Sequence, residues 1–213
     1  MTPVHHIPEA MLFAYASGTV GQPFAVAFAC HLSQCDDCRA WLESQNAIGG
    51  ILLEHLPETA VSPEVARAVM AGLDGCLDGW LDAPGPRQQG IYPAPLAALV
   101  GPAGPKWRAL GGGVKQAILM TGTEGSLRLL SIPAGRAVPE HGHNGQELTL
   151  VLQGGFSDQT GSFGVGDLEV ADESVDHVPI AWSGADCICL AATDAPLRFR
   201  GLLPRLLQPL FRI

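Results

Sequence analysis

The chain carries six cysteines and seven histidines, and two of those cysteines share the stretch HLSQCDDC, residues 31–38, with one of the histidines. At the start of a helix, side chains three apart such as Cys35 and Cys38 point the same way, which is chelating geometry. A helix N-terminus also favours thiolate over thiol. His31 lies four residues ahead of Cys35, at the end of the preceding helical segment, close enough to close on the same ion. His6, just before the first helix, supplies a fourth donor, with His5 as its rival. The set His6, His31, Cys35 and Cys38 then makes a closed two-nitrogen, two-sulfur site of the kind Zn2+ occupies structurally. Two other readings compete: a redox dithiol, which lacks the preceding strand that such a motif needs, and plain burial of thiols as small apolar groups.

A second group lies in GRAVPEHGHNGQELTLVLQG, residues 135–154. Alternate residues of a strand share a face, so His141 and His143 project together, and a turn at Asn144-Gly145 brings Glu147 alongside. Two imidazoles and a carboxylate converge there.

The elements that must position these groups differ between the two halves of the chain. Ala83 to Pro105, APGPRQQGIYPAPLAALVGPAGP, is too dense in proline and glycine for a long helix or a central strand, and marks the boundary. Before it the apolar period is helical. Pro8 and Glu9 open a first helix that stops at Gly18, and a second opens at Pro23. Ser33-Gln34-Cys35-Asp36 reads as a capping box for a third, and Ser62-Pro63 starts a fourth with Val65, Val69, Leu73 and Leu77 on one stripe. After the boundary, short β-branched runs alternate with glycine-containing turns. The expected organisation is a two-domain α+β chain. A helical bundle stapled by the first metal site spans residues 1–85, a linker residues 86–105, an antiparallel β-domain residues 106–195, and a basic tail packed on the β-domain residues 196–213.

A hydrophobic content of 47% against 15% charged residues is that of a globular chain, and the formal net charge of −9 makes direct contact with nucleic acid unfavourable. Residues 1–85 hold two arginines against ten acidic residues, which suits a basic protein partner. MTPVHHIPEA lacks the basic and apolar regions of a signal peptide, and no run of about 18 apolar residues occurs. The expectation is a cytoplasmic protein that does not enter a membrane. In such a reducing compartment the cysteines do not form a disulfide framework. Cys187 and Cys189 alternate on one strand face and read as buried small hydrophobes, with a sensing pair as the alternative.

An upstream histidine followed by HxxxCxxC, here His6 and then His31, Cys35 and Cys38, resembles the zinc-binding anti-sigma domain. The second group matches the first cupin motif, G-x5-HxH-x3-E-x6-G, at every position. The frame of the second cupin motif, counted from Gly166, gives His177 as the fourth ligand, although Asp172-Glu173-Ser174 replaces its PxG and Ala181 its asparagine. A cupin is an antiparallel jelly-roll β-barrel whose interior holds a metal or a ligand. His141, His143, Glu147 and His177 suit Zn, Mn, Fe or Ni, with Zn2+ favoured by the resemblance. A zinc anti-sigma domain followed by one cupin resembles the ChrR-type anti-sigma factors along the whole chain. The resemblance implies a cytosolic repressor of an extracytoplasmic-function sigma factor that answers singlet oxygen or related oxidants. Its helical four-helix domain inhibits, and its cupin is needed for the response. The alternative is a metal-dependent cupin enzyme, a dioxygenase or isomerase, fused to a zinc-stabilised protein-binding module.

Overall fold

The computed structural model describes residues 2–80 and 87–199. Three helices come first. Pro8 takes the leading amides of α1 (Glu9–Ala16) on its carbonyl, and Gly18, at φ 68, ends the turn after it. Proline in the first turn also opens α2 (Gln22–Leu32), whose His31 falls in the last turn. The chain then reverses tightly, with the amides of Gln34 and Cys35 both donating to the His31 carbonyl, and enters α3 (Asp36–Glu54). The cap of α3 is Cys35 rather than the expected Ser33: the Cys35 sulfur accepts the amide of Cys38, while Ser33 closes α2 and donates to the Cys30 carbonyl. A soft acceptor thus stands where a hydroxyl was expected.

The fourth expected helix exists as α4 (Pro63–Trp80), but among the described residues its side chains do not pack into a four-helix bundle. Val65, Val69 and Leu73 are each at least half exposed, as are Ile48, Leu52 and Leu53 on the second half of α3. A periodic apolar stripe fixes which face wants cover, not what covers it. Leu77, the last residue of that stripe, lies among side chains outside the description.

After the boundary, α5 (Ala94–Val100) places a short helix inside the expected linker and buries Leu96 and Val100. The strands follow: β1 (Arg108–Gly111), β2 (Val114–Gly122), β3 (Gly125–Ile132), β4 (His141–His143), β5 (Glu147–Gln153), β6 (Gly155–Ser157), β7 (Ser162–Gly164), β8 (Leu168–Ala171), β9 (Asp176–His177), β10 (Ile180–Ala181), β11 (Cys187–Thr193) and β12 (Leu197–Phe199). They form one six-stranded sheet in the order β1-β2-β3-β11-β5-β8 and two three-stranded sheets, β10-β6-β7 and β12-β4-β9, with every pairing antiparallel. Where a barrel was expected, the strands pair into three separate sheets and not a single closed ladder.

Period-two alternation gives the large sheet two working faces. Leu127, Leu129, Leu148, Leu150 and Leu190 point outward and share one core with Ile7, Leu12, Phe24, Phe28 and Leu96. Val151, Cys187 and Cys189 point inward and pack with Ile132, Phe156 and Phe163. The helical and β halves are thus joined by a common core as well as by the connecting segment. Cys187 and Cys189 are free, buried thiols. The tail is described only to residue 199, where β12 pairs with β4, and packing of residues 200–213 lies outside the described residues. No helix among the described residues is long and apolar enough to cross a membrane.

Candidate metal centres

The turn between α2 and α3 brings His31, Cys35 and Cys38 together, and the arm before α1 swings His6 over them. The four donor atoms lie within 4.8 Å of one another. His6 Nδ1 is 3.2 Å from Cys35 Sγ and 3.7 Å from Cys38 Sγ. His31 Nδ1 donates to the Gly166 carbonyl at 2.9 Å, which leaves Nε2 as the inward nitrogen, buried with no hydrogen-bond partner among the described residues. A buried imidazole nitrogen aimed at two thiols and a second imidazole is what a metal ion would satisfy. Burial pushes His31 down, so the ring stays neutral as a ligand must. Burial also pushes the Cys38 thiol up to about 11, against the hydrogen bond from the Ile7 backbone. A cation reverses that balance, because a coordinating thiol is deprotonated outright.

His5, the rival for the distal position, is used elsewhere. Its amide and that of Val4 donate to Asp167 Oδ1 at 2.9 and 2.7 Å, its ring lies 3.5 Å from Asp167 Oδ2, and it packs on Phe163.

The second group is also assembled. His141, His143, Glu147 and His177 place one donor atom each within 4.8 Å of the others, all four residues buried. Adjacent β4 and β9 pair His141 with His177 directly. Asn144 and Gly145 do not make a hairpin: they carry the chain from the small sheet of β4 to the large sheet of β5, which brings Glu147 across. Each imidazole anchors Nδ1 on an outer acceptor. For His141 it is the Pro139 carbonyl at 2.9 Å, for His143 the Val175 carbonyl at 3.2 Å, and for His177 Asp158 Oδ2 at 2.6 Å. Nε2 therefore points inward in all three, with His143 Nε2 2.8 Å from Glu147 Oε2. Burial would raise Glu147, yet the two imidazoles outweigh it and hold the carboxyl well below its usual range. Burial would lower His177, but Glu169 and Asp158 hold it up at about 9. Where the cupin PxG is missing, Asp172 closes the turn instead, its carboxylate accepting from the Ser174 amide and hydroxyl at 2.9 and 2.6 Å.

A cavity of about 660 Å³ opens beside this group, walled by His141, Glu147, His177, Arg128, Leu130 and Phe156 among others. The donors can thus be reached by small molecules. Asp158, Glu169 and Asp167 were not legible as functional, and Gly166 was read only as the start of the second cupin motif. Asp158 had a local signal of its own, the turn-forming sequence SDQTG, in which its Oδ1 takes the amides of Thr160 and Gly161.

Residues 97–196 match the family model described as the ChrR cupin-like domain. The chain is 53% identical over 215 residues to the anti-sigma-E factor ChrR of Cereibacter sphaeroides, with 100% of each chain covered. Among solved structures, it is similar to a chain of the crystal structure of Rhodobacter sphaeroides SigE in complex with the anti-sigma ChrR, at 49% identity and a TM-score of 0.80, covering 91% of this chain and 100% of that one. Likeness along the full length, together with the matched cupin-like domain, makes this chain a member of the ChrR-type anti-sigma factors, a family of regulators and not of enzymes.

Proposed function

We propose that the protein binds an extracytoplasmic-function sigma factor through its helical region, in the cytoplasm, and releases it when singlet oxygen or a related oxidant acts on the cupin half. The observation that carries this reading is the similarity, over 91% of the chain, to a structure in which ChrR is in complex with SigE. The uncovered apolar surface supports it. Ile48, Leu52, Val65, Val69 and Leu73 are each at least half exposed, a density of large apolar side chains that marks a protein interface. The acidic balance of residues 1–85 suits a sigma factor with nucleic-acid-binding surfaces.

His6, His31, Cys35 and Cys38 are the residues to hold Zn2+, the metal best matched to two sulfurs and two nitrogens. They tie the N-terminal arm, α2 and α3 into one unit and so preserve the helix arrangement that meets the partner. His141, His143, Glu147 and His177 are the residues to hold a divalent ion, Zn2+ by likeness to the family, with Mn, Fe or Ni also matched by the donors. Such an ion supplies a Lewis-acid centre. The protein's own part is to fix three imidazoles through their Nδ1 bonds and to leave the donors accessible from the cavity.

Co-expression with a tagged extracytoplasmic-function sigma factor from the same genome tests this reading. The expected result is a stable complex that does not support sigma-dependent transcription. A folded, metal-loaded chain that captures no such sigma factor would overturn it.

A further inference from the structure

We propose that the four-residue segment Gly166–Glu169 positions a ligand of each metal centre, and so couples the two centres through one piece of backbone. Its four residues divide between the sites. The Gly166 carbonyl accepts from His31 Nδ1 at 2.9 Å. The Asp167 carboxylate takes the amides of Val4 and His5, and the Leu168 amide donates to the His5 carbonyl at 3.3 Å, which docks the arm that carries His6. Glu169 Oε1 lies 3.3 Å from His177 Nδ1. Asp158 Oδ2 shares that nitrogen at 2.6 Å, and the Thr160 hydroxyl bridges the two carboxylates, 2.7 Å from Asp158 and 2.8 Å from Glu169.

The segment is held so that a shift at one end reaches the other. Leu168 and Glu169 sit in β8, in register with Leu150 and Thr149 of β5, the strand that also carries Glu147. Gly166, at φ 90, packs so closely on Pro3 that an added Cβ would lie 2.8 Å from the proline ring. The imidazoles of His31 and His177 and the carboxylates of Asp158 and Glu169 are almost wholly buried, so no solvent layer absorbs displacement between them. Outer partners of metal-binding imidazoles set ring orientation and tune affinity. Here the outer partner of His31, Gly166, and one of the two outer partners of His177, Glu169, are three residues apart on one chain. When Nε2 of His177 is fixed in the cupin centre, Nδ1 fixes the Asp158 and Glu169 carboxylates that Thr160 bridges, and the segment running back from Glu169 then fixes the carbonyl that aims Nε2 of His31. Glu169 and Asp167 are positioning residues, and by linkage the effect runs equally in both directions.

This inference rests on the metal-binding reading above. A cobalt titration of the full chain tests it, because absorption from thiolate to Co2+ reports on the helical centre alone: the cupin donors contain no sulfur. The affinity of the helical centre is measured with the cupin centre filled, and again with it emptied by the combined substitutions His141→Ala, His143→Ala and Glu147→Ala. The expected result is tighter cobalt binding by about 5- to 150-fold when the cupin centre is filled. With the cupin centre saturated, Glu169→Gln should bring the helical-centre affinity to within about twofold of the emptied chain. The exposed Glu173→Gln should leave the full enhancement. Equal affinity in the filled and emptied states would overturn the coupling while leaving both metal sites standing, and full coupling in Glu169→Gln would overturn the role of that residue. Failure of either centre to take up metal would overturn the metal-binding reading together with the coupling.

Discussion

His177 Nε2 lies 3.1 Å from His141 Nε2, and both rings have already committed Nδ1 to an outer acceptor. Two inward nitrogens at that separation must share a proton or a cation. The carboxylate of Glu147 closes the same space, 3.8 Å from His141 Nε2. Replacing His141 or Glu147 with alanine is therefore expected to weaken metal binding in the cupin half by at least about tenfold. At saturating metal the helical centre should stay full. Metal content per chain, set against thiolate-specific absorption, separates the two centres.

The helical centre should behave as a staple. Cys35 both caps α3 and faces His6, so Cys35→Ser removes a ligand and weakens a cap at one position. Structural zinc contributes on the order of 10 kcal/mol of apparent binding free energy to small domains. Cys35→Ser or Cys38→Ser is expected to release zinc, loosen the helices and abolish sigma binding. Zinc analysis beside circular dichroism and a binding assay checks this, and a zinc-free variant that still inhibits normally would refute the structural role.

The exposed stripe on α4 offers a test that leaves the fold alone. Val69 is 57% exposed, so Val69→Asp should change stability by no more than about 0.5 kcal/mol. At the centre of an interface the same change should weaken sigma binding by about tenfold or more. Unchanged affinity would move the binding surface off α4.

Both donor clusters were legible because their spacing encodes convergence. His141 and His143 alternate on a strand, and Cys35 and Cys38 share the first turn of a helix. The choice of His6 over His5 was not encoded locally, since it depends on Asp167, more than 160 residues away, taking the His5 side of the arm. The same holds for Asp158 and Glu169, which reach His177 only once the small sheets fold over the large one. Periodicity also found the amphipathic stripe of α4 without showing that its described residues, Val65, Val69 and Leu73, lie exposed.

A fragment of residues 1–85 keeps all four donors of the helical centre and the exposed stripe, but loses the sheet face that shares a core with Phe24 and Phe28. It is expected to bind the sigma factor yet unfold at a lower temperature than the same helices in the full chain. Thermal melts with zinc present, paired with a pull-down, read both properties. A folded, zinc-loaded fragment that fails to bind would mean that the inhibitory surface includes the cupin half.

The division of labour between the halves is tested most directly by a sigma-dependent reporter in cells carrying His141→Ala or Glu147→Ala, with and without singlet oxygen or an organic hydroperoxide. If the helices inhibit and the cupin centre governs release, basal transcription stays as low as with the unaltered protein while induction by oxidant is blunted or lost. A variant that inhibits normally and still responds fully to every such oxidant would contradict a sensing role for the cupin centre.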